Sequence, residues 1–187
     1  MNTMNRPEPV LLCSVLVFLL CVSLSCAEEL IPVDQALRQI YPKATGFERE
    51  AFVLTADQIK AVEEKSGVTF GMDHSANIQM YVARENDRVL GYAFEDIIIG
   101  KWGPIHYLAG LGPNGDVLEV VVLDYQEIRG RPIAKKRFLR QYKDKSIRDP
   151  VRLRNDIDGI TGATISSRSM TDGVRKLLYV FHETQPH

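Results

Sequence analysis

The sequence of 187 residues predicts an α+β fold: an antiparallel sheet packed with a C-terminal amphipathic helix and short peripheral helices. Three observations predict this fold. The middle of the chain holds several β-rich runs, the links between those runs are short, and the last apolar run has helical spacing. Short links cannot hold helical crossovers, so the strands must run antiparallel. The apolar stripe of the last helix then needs the sheet to cover it.

Two short helices are predicted ahead of the sheet. Residues 32–41 carry apolar side chains at helical spacing, and Pro42 ends that run. Thr55 and Gln58 stand at the spacing of a capping box, which opens a second helix, and Gly67 is its stop signal.

Four strands are predicted in the middle of the chain. The runs alternate apolar and polar side chains or are rich in β-branched residues, and Gly91 is a candidate for a β-bulge. The turn residues 112–116 join the last two runs as a hairpin. The predicted strands are residues 78–84, 88–99, 105–111 and 117–123.

Two further helices are predicted beyond the sheet, with polar residues 143–154 between them as a loop. The first covers residues 133–142 and has a basic face, which is either solvated or suited to an acidic partner. The second runs from about Ser166 to His182 and has one apolar stripe. The basic face consists of Lys135, Lys136, Arg137 and Arg140. The stripe consists of Met170, Val174, Leu177, Leu178 and Phe181.

The first 27 residues differ from the rest of the chain. Residues 10–27 are almost continuously apolar, and Ser25 and Ala27 have the spacing of a signal-peptidase site. This pattern is typical of a secretory signal peptide that is cleaved after Ala27. An uncleaved membrane anchor and a lipid on Cys26 are the alternatives. Each places the folded part in the periplasm or on the extracytoplasmic face of a bacterial membrane.

Composition excludes several classes of function. The cysteines are Cys13, Cys21 and Cys26, all inside the N-terminal segment, so the body of the chain has no thiol for a disulfide, an iron–sulfur cluster or a c-type haem. The formal net charge of −1 gives no reason to expect nucleic acid as a partner. The histidines lack metal-ligand spacing, so no metal site is predicted.

The segment 158–167, Asp-Gly-Ile-Thr-Gly-Ala-Thr-Ile-Ser-Ser, lies directly before the last helix. Gly159 and Gly162 permit tight backbone turns. The free N–H groups and the dipole of a helix N-terminus attract an anionic phosphate, which the hydroxyl of Thr164 can hydrogen-bond or esterify. From these residues alone, a helix cap after a glycine turn explains the pattern equally well.

This segment resembles the attachment motif of the FMN-binding domain family, D-x-x-[S/T]-G-A-T-x-[S/T]. The family includes flavin-carrying subunits of the sodium-translocating NADH:quinone reductase and of the Rnf complex. The resemblance implies that Thr164 carries FMN through a phosphoester bond, made by a flavin transferase that uses FAD and magnesium. The motif residues expected at the cofactor are Asp158, Thr161, Gly162, Ala163, Thr164, Ile165 and Ser166.

The resemblance extends upstream of the motif. Residues 125–130 are similar to a family segment that lies near the flavin ring, which places Glu127 and Gly130 at the cofactor. Ile128 stands where many members have threonine. We therefore expect three parts in the chain: a signal peptide or anchor at 1–27, an N-terminal helical extension at 28–76, and an FMN-binding domain at 77–187.

The resemblance favours an exported flavoprotein that relays electrons to membrane-bound or periplasmic partners. The alternatives are a flavin-dependent reductase of a small substrate and a secreted binding or sensory module without flavin. His106, Trp102 and Tyr107 are further candidates for contact with the flavin. Aromatic residues in a β-rich core more often serve in packing.

Overall fold

The computed structural model describes residues 28–29, 31–70, 76–125 and 133–184. The predicted signal segment 1–27 lies outside these ranges, as do the predicted cofactor residues Glu127 and Gly130. Among the helices within these ranges, none combines the length and the apolar character that a membrane crossing requires.

One antiparallel sheet forms the centre of the protein. Its six strands lie in the order β1-β6-β5-β4-β3-β2, and every neighbouring pair is antiparallel. The strands predicted in the middle of the chain are all present, which confirms the α+β fold. The strands are β1 (Glu28–Glu29), β2 (Gly46–Val53), β3 (Asn77–Glu85), β4 (Arg88–Ile99), β5 (Pro104–Leu111) and β6 (Val117–Tyr125).

The helices pack on both faces of this sheet. The capping box of Thr55 and Gln58 is present, and Gly67 ends that helix with a left-handed φ of 70°. The last helix begins two residues earlier than predicted. The helices are α1 (Val33–Ile40), α2 (Ala56–Ser66), α3 (Lys136–Leu139), which a 3-10 turn (Arg140–Tyr142) follows directly, and α4 (Thr164–Thr184).

Strand β2 is missing from the sequence-based prediction, which treats residues 28–76 as a helical extension. The strand pairs with β3 along its whole length, from Gly46 opposite Arg84 to Val53 opposite Asn77. Most of its side chains are exposed, because it lies at the edge of the sheet. Backbone pairing therefore holds β2 in place without the apolar alternation by which a strand is recognised in a sequence. Residues 46–53 belong to the same sheet as the strands that follow.

The helix predicted at 133–142 is wrong in extent. Residues 133–134 form a turn, and only α3 and the short 3-10 turn are helical. Tyr142 is fully buried, packs edge-on against Phe138 and hydrogen-bonds the hydroxyl of Thr171 in α4 at 2.9 Å. Tertiary contacts thus fix this segment more than helical periodicity does.

The two faces of the sheet carry separate apolar cores. The larger core lies under α2 and α4, and the smaller one lies under α1. Gly173 lets α4 approach closely, since a Cβ there would come within 2.6 Å of the Tyr107 hydroxyl. The strand pairing of β3 and β4 shifts register between Ala83 and Arg84, opposite Gly91, so the predicted bulge is present.

Candidate functional site

The predicted motif forms a tight turn followed by the first turn of α4. The N–H of Ala163 donates to the carbonyl of Ile160 at 3.0 Å, and the helix begins at Thr164. Gly162 has φ +84°, a left-handed conformation that L side chains rarely adopt, yet a Cβ there would meet nothing within 4 Å. Glycine is therefore required at this position for its backbone conformation and not for lack of space.

Some residues of the motif are exposed to solvent, and others are buried and hold the turn in place. Thr161, Gly162, Thr164 and Ile165 are exposed, whereas Ala163, Ser166 and Ser167 are buried. The Ser167 hydroxyl donates to the carbonyl of Ala163 at 2.8 Å and accepts the N–H of Ile160 at 3.2 Å. These bonds join the turn to the helix. Thr164 is therefore exposed to solvent on a backbone that hydrogen bonds hold in place.

Asp158 is held through its backbone by a residue that sequence reasoning does not single out as part of the site. Its N–H donates to Oε1 of Gln141 at 2.8 Å, and Nε2 of Gln141 donates to its carbonyl at 3.1 Å. The Asp158 carboxylate is exposed and makes no hydrogen bond or ion pair to the part of the chain that the structure describes. It is therefore presented outward, like the hydroxyl of Thr164.

The turn between β4 and β5 lies against the motif. The N–H of Lys101 donates to Oγ of Ser166 at 3.2 Å, and Gly100 and Gly103 close the turn with a hydrogen bond of 2.8 Å. Trp102 in this turn is 57% exposed, and the Lys101 ammonium lies 4.8 Å from the centroid of its ring. The sequence indicates Trp102 as a candidate but gives no sign that this turn touches the helix.

The two other candidates for flavin contact have partners of their own. Tyr107 is completely buried, and its hydroxyl donates to Asp96, so its role is in the core. His106 lies on the opposite face of the sheet from α4, with Nε2 2.8 Å from Glu95 and Nδ1 3.3 Å from Asp124. The hydrogen bond to Glu95 raises the pKa of His106, and burial opposes that rise only in part.

A buried ion pair joins α4 to the sheet, and nothing in the sequence points to it. Nζ of Lys176 lies 2.8 Å from Asp96, and both side chains are buried. Burial lowers the pKa of Lys176, while the Asp96 carboxylate opposes that fall. Arg175, also buried, donates to the carbonyls of Ser66 and Val151. These contacts fix the position of the helix that carries Thr164.

Comparison with known proteins bears directly on this arrangement. Residues 100–179 match the family model described as the FMN-binding domain. The matched range begins at the β4–β5 turn and includes the whole motif. Residues 100–179 therefore resemble the FMN-binding domain family. This match supports FMN as the cofactor, as the resemblance implied.

Two relatives of the domain belong to redox complexes. The first is a subunit of the proton-translocating ferredoxin:NAD(+) oxidoreductase complex of Clostridium ljungdahlii, 29% identical over 104 residues, which cover 51% of this chain and 56% of the relative. The second is a subunit of the Na(+)-translocating ferredoxin:NAD(+) oxidoreductase complex of Acetobacterium woodii, 26% identical over 157 residues, which cover 78% and 72%. This chain thus spans little more than half of the first relative.

The geometry of the FMN-binding domain fits the phosphate end of FMN. The first N–H groups of α4 have no partner within the helix, and the helix dipole adds partial positive charge there. The first turn, which the structure describes in full, contains no acidic residue to repel an anion. The Thr164 hydroxyl is exposed at this position, and the space around Gly162 is open. The residues that would hold the phosphate are thus Thr164 and the backbone that precedes it.

Proposed function

We propose that this protein is an extracytoplasmic electron-transfer flavoprotein that carries FMN through a phosphoester bond to Thr164. The observation that carries the proposal is the exposed Thr164 hydroxyl at the first residue of α4, inside the matched FMN-binding domain. Bound FMN supplies exchange of one or two electrons. A covalent bond keeps the cofactor in place outside the cytoplasm, where a lost flavin is not easily replaced.

Attachment requires FAD as the donor and a flavin transferase with magnesium. The Thr164 oxygen forms a bond to the flavin-side phosphorus of FAD, the bond from that phosphorus to the AMP oxygen breaks, and AMP leaves. The threonine hydroxyl loses its proton, and no oxidant or reductant is consumed. The exposed carboxylate of Asp158, with its backbone held by Gln141, is available for the transferase to recognise.

The partners that we propose are electron carriers in or beside the membrane. Support comes from the two relatives, whose names describe parts of ferredoxin:NAD(+) oxidoreductase complexes. The apolar segment before residue 28 supports export or anchoring. The basic residues around α3 are all exposed, which suits an acidic partner as well as a solvated surface. A reductase would instead consume one small substrate saturably as the isolated protein, and that result would overturn the relay.

The attachment is tested by co-expression with an active flavin transferase. After denaturation, flavin fluorescence should stay with the protein band, and the intact mass should rise by FMN less one water. Thr164→Val, which keeps the shape but removes the hydroxyl, should abolish both signals. Thr164→Ser is the matched control, because it keeps a hydroxyl and should retain flavin.

Two outcomes contradict the proposal. One is a wild-type protein without flavin beside a transferase that modifies a known substrate in the same cells. The other is full flavin attachment to the Thr164→Val variant. Either result would leave the motif as a helix start with no covalent cofactor.

A further inference from the structure

We propose that the indole of Trp102 is the surface on which the isoalloxazine ring of the attached flavin stacks. This inference rests on the proposed attachment at Thr164. Its first support is exposure: Trp102 is 57% exposed, although aromatic side chains normally bury most of their surface. Ile165, beside Thr164, is 55% exposed, and Ile99, at the end of β4, is 42% exposed. Apolar surface is therefore exposed beside Thr164 and in the segment that leads into the β4–β5 turn.

The second support is the link between the turn and the helix. The N–H of Lys101 bonds Oγ of Ser166 at 3.2 Å, so Trp102 is one residue from a direct contact with the first turn of α4. Thr164 is two residues before Ser166, which corresponds to about 3 Å of helix rise. A flavin bound through its ribityl phosphate arm at Thr164 can therefore bring its ring to this turn.

The third support is the way in which the indole is held. Gly100 and Gly103 close the turn with a hydrogen bond of 2.8 Å, so Trp102 is carried on a structured support. The Lys101 ammonium lies over one side of the indole, 4.8 Å from its centroid, as in a cation–π contact. An indole that is more than half exposed also offers surface to a second aromatic ring, and offset stacking is a geometry that such rings prefer.

The sequence makes this contact easy to measure, because Trp102 is its single tryptophan. An indole in van der Waals contact with an excited flavin transfers an electron to it and quenches its emission, whereas phenylalanine does not. Flavin-loaded wild-type protein should therefore be dim when native and several-fold brighter when denatured. Trp102→Phe should be bright in the native state at equal flavin load.

A matched control is Tyr179→Phe, which removes an electron-rich phenol from α4. Tyr179 lies fifteen residues after Thr164, about 22 Å along the helix axis. Its substitution should leave the native emission dim. Trp102→Ala should be bright like Trp102→Phe, and its flavin should also show lower fluorescence anisotropy, because the ring then lacks an aromatic support.

The outcomes separate this inference from the attachment on which it rests. Wild-type protein that carries flavin but is equally bright when native and denatured overturns the stacking and leaves the attachment intact. If the native Trp102→Phe variant is as dim as wild type, the stacking is likewise overturned and the attachment is left intact. The exposed indole would then be a contact for a partner protein instead. Wild-type protein without flavin overturns the attachment and the stacking together.

Discussion

Glu95 and Asp96 are consecutive residues of β4 that point to opposite faces of the sheet and make similar contacts in very different surroundings. Asp96 accepts the Tyr107 hydroxyl at 2.9 Å and pairs with Lys176 at 2.8 Å. Glu95 accepts the Tyr81 hydroxyl at 2.7 Å and pairs with His106 at 2.8 Å. The Asp96 and Lys176 side chains are 6% and 0% exposed, whereas those of Glu95 and His106 are 18% and 21% exposed.

This difference shows that solvent decides what such a pair contributes. Beneath α4, water cannot replace a missing partner, so each charge depends on the other. On the other face both side chains are partly exposed, so water compensates for a lost partner and the pair contributes little. The buried pair therefore fixes the helix that begins with Thr164, and the partly exposed pair adds local order to the other face.

The largest effect is expected from Asp96→Asn. This change removes the Asp96 charge that faces the buried Lys176 ammonium, which should lower the free energy of unfolding by about 3–5 kcal/mol. The free energy is obtained from urea unfolding followed by circular dichroism. The double variant Asp96→Asn with Lys176→Met is the control, because it removes both charges of this pair and should recover most of the loss. A double variant no more stable than the single one would contradict this account.

Much of the fold follows from sequence patterns, but the pairing across it does not. Residues 88–99 are recognisable as one strand, and the two-residue period of a strand places Glu95 and Asp96 on opposite faces. The packing of α4 decides which face of the sheet is shielded from solvent. It also brings Lys176 into contact with Asp96. Strand β2 escapes prediction for a related reason, since an exposed edge strand needs no apolar alternation.

The same limit applies to the candidate site: its local structure can be predicted from the sequence, but its contacts with other elements cannot. Local residues determine the glycine turn and the start of α4, so the motif and Thr164 can be located from the sequence. Contacts from elements that are distant in the sequence cannot be located in this way. Examples are the hydrogen bonds between the Gln141 amide and the Asp158 backbone and between the Lys101 N–H and the Ser166 hydroxyl. Trp102 and Tyr107 look alike as candidates, and only their packing separates an exposed indole from a buried phenol.

A smaller effect is expected from Glu95→Gln, which matches Asp96→Asn in chemistry but acts on the partly exposed pair. The Tyr81 and His106 contacts would lose a charge-assisted acceptor, and water would compensate in part. The free energy of unfolding should fall by about 1 kcal/mol in the same urea assay. If Glu95→Gln costs as much as Asp96→Asn, solvent does not separate the two pairs, and the comparison fails.

The smallest effect is a dependence of stability on pH that belongs to the partly exposed pair. The hydrogen bond to Glu95 raises the pKa of His106 above 6.5, while burial opposes the rise. A raised folded-state pKa stabilises the protein fully below the unfolded-state value and loses that contribution as pH rises through the folded-state value. Tyr81 does not titrate in this range, because burial raises its pKa to about 12.

Between pH 6 and pH 8, wild-type protein should therefore lose about 1 kcal/mol of unfolding free energy relative to His106→Gln, which cannot titrate. Glu95 does not produce this slope, because the hydrogen bond from His106 lowers its pKa and keeps it ionised throughout. Urea unfolding of both proteins at the two pH values measures the difference, and Glu95→Gln should make it smaller. An equal difference at both pH values would mean that the pKa of His106 is the same in the folded and unfolded states. The hydrogen bonds of His106 to Glu95 and Asp124 would then not favour its charged form, and the partly exposed pair would contribute nothing to the pH dependence of stability.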